Sequence, residues 1–210
     1  MKLIQCTQGT PEWFAARAGV ITASKFAEAV STLKNGTPTQ ASKDYAYRVA
    51  VERIYGETTE DTFVTWEMRR GTELEPYARI AYEARTGNLA QESGVVLTDD
   101  GLFGYSTDGL VDDDGLIEIK CPNSARKLVE MWETGDLSEY EHQIQGGMWI
   151  TGRKWCDFIM YAPQLEPVGK HLYIKRVERN DDFIEDMESK LWEFARRVQT
   201  HINNLKREAA

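Results

Sequence analysis

Asp108, Glu118 and Lys120 are the residues whose types and spacing best suit a reaction. Side chains two apart on a strand share a face. Glu118 and Lys120 of Leu116-Ile117-Glu118-Ile119-Lys120-Cys121 therefore project together, while Ile119 points into the core. A hairpin turn at Asp114-Gly115 folds the chain back and brings Asp108, in Ser106-Thr107-Asp108-Gly109, toward Glu118. Two carboxylates beside one ammonium suit a magnesium-dependent attack of water on a phosphodiester. Carboxylate oxygens bind a hard cation, the cation lowers the pKa of bound water, and a lysine orients or helps deprotonate that water while offsetting charge. Taken singly, an Asp before Gly is commonly a turn residue, and Glu-x-Lys on a strand is commonly a solvated face. Here Ile117, Ile119 and the following Cys121-Pro122 make the strand central, where a Glu and a Lys are costly without a task. Glu75, early in a helix, can add a third carboxylate, whereas Glu73 lies about 200° away around that helix. Gln143, on a helix after the Glu-x-Lys strand, can hold a water or a phosphate oxygen.

The elements that must position these residues follow from periodicity and capping. Pro11–Arg17 reads as a short helix ended by Gly19, and Thr22 as the cap of a second helix running to about Ser31. Residues 33–38 form a turn. Longer helices are expected over about 40–55, ended by Gly56, and about 68–85, ended by Gly87-Asn88. Strands follow at about 93–98, 102–106, 109–111 and 116–121, then helices at about 124–133 and 138–149. Strands at about 155–162 and 170–176 complete the sheet. The final helix, about 181–205, places Phe183, Met187, Leu191, Phe194, Val198, Ile202 and Leu205 at spacings of three and four, a core-packing stripe. The expected fold is α/β, a restriction-endonuclease-like mixed central sheet flanked by helices, as one domain over residues 1–210.

Composition bounds the function. With 210 residues, 41% hydrophobic and 28% charged, the chain is globular, neither a disordered tail nor a coiled coil. Its net charge of −9 argues against coating nucleic acid by bulk charge but leaves room for a local basic groove. Residues 1–50 hold six basic and three acidic side chains, and residues 99–118 hold seven acids and no base. The expectation is acid around the metal site and base where a phosphate enters. Cys6, Cys121 and Cys156 form no CxxC pair, which fits reduced thiols in a cytoplasm. No run approaches ~20 apolar residues, so no membrane span is expected. Asp112-Asp113-Asp114-Gly115 fails the spacing of a calcium loop, and His142, His171 and His201 show no paired metal-ligand spacing.

Several motifs occur in order. They are Trp13-x3-Arg17-x-Gly19-Val20-Ile21-Thr22-Ala23-Ser24, Gly71-x3-Glu75, Ser106-x-Asp108-Gly109, Glu118-x-Lys120-Cys121-Pro122 and Gln143-x-Gln145-x2-Met148-Trp149. Over about Trp13 to Trp149 the chain resembles the phage lambda exonuclease family, the YqaJ-type viral recombinases of the PD-(D/E)xK nuclease superfamily. The resemblance implies a magnesium-dependent exonuclease, with manganese as a substitute. It would degrade the 5′ strand of linear double-stranded DNA, release 5′-mononucleotides and leave a 3′ single strand for recombination.

By the same resemblance, Asp108, Glu118 and the backbone carbonyl of Ile119 bind metal, and Glu75 holds a second metal or its water. Lys120 positions the nucleophile and Gln143 supports it. Arg17, Ser24 and Ser106 grip the 5′-phosphate, for which a guanidinium fork and two hydroxyls are chemically apt. Lys34 is the only charge on an arm reaching duplex DNA, and Met68 corresponds to an apolar wedge at the terminal base pair. A homotrimer, a single-strand annealing protein as partner, and a cytoplasmic setting in a bacterial host or prophage are also implied. Thr107 stands where the superfamily has proline, a position that shapes the turn without supplying a ligand. An endonuclease of the same fold and a non-catalytic DNA-end-binding protein are the alternatives. The Asp108, Glu118, Lys120 and Glu75 set argues against the binding protein, and the Arg17, Ser24 and Ser106 set argues against the endonuclease.

Overall fold

The centre of the molecule is the strand that carries Glu118 and Lys120, and everything else is arranged around its two faces. A computed structural model describes residues 1–59 and 66–207, and of Met68 the backbone alone. In chain order the elements are β1 (Lys2–Ile4), α1 (Pro11–Arg17), β2 (Ile21–Thr22), α2 (Phe26–Ala29), α3 (Gln40–Tyr55), α4 (Trp66–Thr86), β3 (Ala90–Gln91), β4 (Val95–Leu97), β5 (Phe103–Ser106), β6 (Gly109–Val111), β7 (Gly115–Lys120), α5 (Ala125–Thr134), α6 (Glu141–Thr151), β8 (Trp155–Tyr161), β9 (Leu172–Glu178) and α7 (Asp181–Lys206). The fold is mixed α/β, as expected, but the strands form two ladders rather than one. A four-stranded sheet runs β1-β4-β5-β2 and a five-stranded sheet β3-β6-β7-β8-β9. Both are mixed: β2 with β5 and β7 with β8 are parallel pairs, and the rest are antiparallel. The chain passes from one ladder to the other at Thr107-Asp108, between β5 and β6.

β7 is the middle strand of its sheet, and its alternation sorts the core. Leu116 packs into the main cluster, with Phe26, Tyr45, Phe103, Phe158, Leu191 and Phe194 among its members. Ile117 and Ile119 face the other way, against Ala78 and Tyr82 of α4. Each large side chain so buried contributes roughly 1.5–3 kcal/mol. α4 keeps its course despite Pro76 in its interior, because Ala78 and Tyr82, both fully buried, hold it on the sheet. On α7 the buried residues are Ile184, Met187, Leu191, Phe194, Ala195, Val198 and Ile202, the expected stripe, and Phe194 meets Tyr45 of α3 with ring centroids 5.1 Å apart.

Several local expectations are corrected. The stretch after Gly19 enters as strand β2, then a 3-10 turn at Ala23–Lys25 and the one-turn α2, and the Thr22 side chain caps nothing. Ile21 and Thr22 pair with Phe103 and Gly104, so sheet hydrogen bonds win over the local capping signal. β1 and β3 were not expected; at three and two residues they are too short for an alternating pattern. Gly115 belongs to β7, paired with Val111, and the β6–β7 turn is Asp112–Asp114, with Asp112 at φ 45°. Arg153 clamps this turn through the carbonyls of Val111, Asp112 and Gly115. That geometry also corrects the charge map. Asp112, Asp113 and Asp114 lie at the start of β7, opposite the Lys120 end, and Asp99 and Asp100 lie at the far tip of the β4–β5 hairpin. Of the seven acids in residues 99–118, only Asp108 and Glu118 reach the site. Among the described residues no helix is long and apolar enough to cross a membrane.

Candidate active site

The C-terminal end of β7 opens into a cleft of about 830 Å³ whose walls come from α1, α4, β5, β7, α5 and α6. Glu118 sits on its floor, 1% exposed, and every oxygen of its carboxylate is engaged. Lys120 Nζ donates to Glu118 Oε1 at 2.6 Å, Gln143 Nε2 donates to the same oxygen, and the Tyr105 hydroxyl donates to Oε2 at 2.9 Å. Gln143 Oε1 in turn accepts from Lys120 at 3.4 Å, closing a Glu–Lys–Gln triangle. Gln143 reaches this point because α6 lies hard against its neighbours. A Cβ on Gly146 would come within 2.6 Å of Phe26, and one on Gly147 within 2.8 Å of Tyr105.

Asp108 enters from the crossover between the two sheets. Its Oδ2 accepts from the Ile119 amide at 2.7 Å, which fixes the carboxylate beside β7. Thr107 is buried and its hydroxyl both accepts from the Gly109 amide, at 3.0 Å, and donates to the Gly109 carbonyl, at 2.9 Å. These bonds hold the turn that a proline ring would otherwise stiffen. Glu75 comes from α4, where Arg79 bonds it at 3.4 Å and Glu92 at 2.6 Å. α4 is tied to the end of β7 by Arg70, which donates to the Cys121 carbonyl at 2.7 Å.

The electrostatics of this cluster are those of crowded acids. Burial, then Glu118 and Glu75 nearby, pushes the Asp108 carboxyl well above its ordinary value. Burial also raises Glu75, against the pull of Arg79. Burial works against the charged form of Lys120, but Glu118 and Asp108 outweigh it and hold its pKa above that of an ordinary lysine. Burial raises the phenol of Tyr105, again with Glu118 beside it, and pushes the Cys121 thiol up to about 12. Lys120 is thus a cation at any ordinary pH, and Cys121 a neutral thiol.

The same cleft also carries groups suited to phosphate. Arg17 Nη1 donates to Ser106 Oγ at 2.9 Å, and the indole Nε1 of Trp13 donates to the same oxygen at 3.0 Å. The Arg17 guanidinium lies over the Trp13 ring at 4.1 Å, which fixes its plane. Ser24 is exposed at the cleft wall, 3.4 Å from the Thr22 hydroxyl.

The chain as a whole has counterparts among known proteins. The pattern of the YqaJ-like viral recombinase domain matches residues 12–154. The chain belongs to that family. An alkaline exonuclease (LHK-Exo) from Laribacter hongkongensis is 39% identical with a TM-score of 0.84, covering 95% of this chain and 97% of that one. The same protein in complex with dAMP is 38% identical with a TM-score of 0.85. A phage-related exonuclease from Haemophilus somnus 129PT, at 15% identity and a TM-score of 0.72, shares the fold. No curated protein matches the chain.

In this YqaJ-like domain the structure brings Asp108, Glu118, Ile119, Lys120, Gln143 and Glu75 to one wall of the cleft, and Arg17, Ser24 and Ser106 to another. Lys34 does not line it; it is exposed on the turn closed by the Thr32–Pro38 bridge. The side chain of Met68 lies outside the described residues. His142 packs on Phe183, with ring centroids 5.1 Å apart, and not on the cleft. Three residues at the site had no role assigned from sequence. Trp13 stood in a motif without a function, Arg79 in none, and Tyr105 one place before Ser106.

Among the described residues no three His, Cys, Asp or Glu side chains are gathered at metal-binding distance. Each carboxylate instead faces a protein donor, so gathering them on a cation requires rotation away from Lys120, Arg79 and the Ile119 amide. The donor set nonetheless fits a hard divalent ion. Asp108, Glu118 and Glu75 converge on the cleft with Lys120 and Arg79 as their nearest cations, and the crowding that raises Asp108 and Glu75 is what a divalent ion would relieve.

Proposed function

We propose that this protein is a DNA exonuclease that removes nucleotides from the 5′-phosphorylated end of linear duplex DNA, with magnesium or manganese as its metal. It releases 5′-mononucleotides and leaves a 3′ single strand for an annealing protein. The observation that carries this reading is the pairing, within one cleft, of a phosphate-type grip with an acid–ammonium cluster. That the relative from Laribacter hongkongensis is an alkaline exonuclease, and was solved with dAMP, a deoxynucleoside monophosphate, supports it.

In this reading Arg17 and the hydroxyls of Ser106 and Ser24 hold the terminal phosphate, and Trp13 keeps the guanidinium planar to it. Asp108, Glu118, the Ile119 carbonyl and Glu75 hold the metal, which when bound supplies a Lewis acid and a water of lowered pKa. Lys120, held beside Glu118, orients the attacking water and stabilises negative charge on the phosphoryl oxygens. Gln143 fixes Lys120 and Glu118 relative to each other, and Tyr105 pins the remaining oxygen of Glu118. The homotrimer and the cytoplasmic setting belong to the same reading.

The test is incubation with magnesium and four duplexes: linear with 5′-phosphate, linear with 5′-hydroxyl, linear with 3′-phosphorothioate ends, and covalently closed circles. Mononucleotides from the first, fewer from the second, normal release from the third and nothing from the fourth are expected. Cutting of circles would make the protein an endonuclease. Binding to ends without hydrolysis would make it a non-catalytic end-binding protein.

A further inference from the structure

α1 ends on Arg17 yet contains no buried residue, and Trp13 and Ala16 pack it against the small cluster of Val20, Val95 and Leu97. Seven residues are too few to hold a helix by their own hydrogen bonds. The next turn, Ala18-Gly19, is instead gripped from the side by α3. Glu52, 4% exposed, accepts from the Gly19 amide at 2.9 Å, and Arg53 Nε donates to the Gly19 carbonyl at 2.7 Å. Both backbone polar groups of Gly19 are thus held by adjacent residues of one helix. The grip is close: Gly19 has φ 69°, and a Cβ there would lie 2.6 Å from Arg53 Cγ. The second oxygen of Glu52 accepts from the Thr59 amide at 3.0 Å and from the hydroxyls of Thr59 and Thr58 at 3.2 and 3.4 Å. A buried carboxylate is costly unless its lone pairs are filled, and these are filled from two separate backbone segments.

We infer that Glu52 is a positioning residue for the terminal-phosphate grip: by clamping Gly19 with Arg53 it sets where Arg17 stands relative to Ser106. This inference rests on the phosphate-gripping role proposed above. The Val20 amide donates to the Arg17 carbonyl at 3.0 Å, so the clamped Gly19 lies inside the turn that begins at the guanidinium-bearing residue. An amide at position 52 accepts from one of the two backbone donors and turns its own NH2 on the other, which loosens one side of the clamp without emptying the site.

The experiment compares hydrolysis of 5′-phosphate and 5′-hydroxyl linear duplexes by the full chain, Glu52→Gln and Arg53→Met. Arg53→Met keeps the packed stem, loses the donor, and removes a buried guanidinium nitrogen, Nη2, that has no partner, so the fold tolerates it. In Glu52→Gln the preference for phosphorylated ends is expected to fall about tenfold, through a higher KM, with kcat changed by less than about threefold. Arg53→Met is expected to move the preference in the same direction. A merely structural role lowers the amount of active protein on both ends alike and leaves the ratio untouched, which overturns the positioning role. If Glu52→Gln does not fold, Arg53→Met decides in the same way. A parent chain indifferent to the 5′-phosphate overturns the phosphate grip itself, and this inference with it; a discriminating parent with discriminating variants overturns this inference alone.

Discussion

Asp157 and Glu118 are both buried acids on neighbouring parallel strands, one residue apart in register, yet they do opposite things. Asp157 shares the α4 face of the sheet with Ile117 and Ile159. There Arg176 Nε and Nη2 donate to its two oxygens at 2.8 Å each, and the Tyr82 hydroxyl adds a third bond at 2.8 Å. Arg176 in turn lies over the Trp155 ring at 3.6 Å. That is one acid, one cation and a closed shell. Glu118 faces the other way, with Lys120 shared among Glu118, Asp108 and the field of Glu75. The difference is stoichiometric: neutralised charge makes a staple, and in the proposed function the acid surplus beside an open cleft would favour a cation.

The contrast breaks or holds by mutation. The largest effect is expected at Asp108→Ala, where single-turnover hydrolysis of a 5′-phosphorylated duplex falls about a thousandfold or more while end binding and the melting temperature change little. A retained rate would remove Asp108 from the chemistry. Asp157→Ala is expected to behave in reverse, losing about 3 kcal/mol of stability in urea titration with the rate per folded molecule unchanged. A slower enzyme of undiminished stability would erase the distinction between the two acids. Arg17→Ala tests the proposed phosphate grip: the preference for 5′-phosphate over 5′-hydroxyl is expected to fall about a hundredfold, near 2.7 kcal/mol, measured as a ratio of kcat/KM values.

Tyr82→Phe carries the smallest effect, about 1 kcal/mol at neutral pH. Its pH signature is more telling. Burial, and Asp157 beside it, pushes the Tyr82 phenol from 10.0 up to about 12, although the Asn88 bond pulls the other way. A pKa raised in the fold means stabilisation that is complete below pH about 10 and lost as pH rises through about 12. Tyr105 and Tyr45 are raised as well, so the variant is expected to lose stability less steeply across that window, but still to lose it. Equal slopes in parent and variant would mean that Tyr82 does not sense the alkaline limb.

The residues that could be read from sequence are those whose roles depend on spacing along one element. Glu118 and Lys120 follow from strand alternation between Ile117 and Ile119, the end of α3 from Gly56, and α7 from its apolar stripe. What escaped depends on distance across elements. Glu52 reaches Gly19 across 33 positions, and Trp13 reaches Ser106 across 93, which no local pattern encodes. The acid-rich stretch 99–118 misled because a hairpin separates sequence neighbours by the full length of its strands: three of its acids went to the β6–β7 turn and two to the β4–β5 tip.

Gly146 and Gly147 set a condition on portability. The gap between α6 and the strand bearing Tyr105 is a backbone-to-ring distance with no side chain as spacer. Transplanting Asp108, Glu118, Lys120 and Gln143 onto another sheet would therefore fail on an ordinary amphipathic helix. Such a helix stands off by the thickness of its side chains and leaves the glutamine short of the carboxylate. The transferable unit is the four polar residues together with two absent side chains.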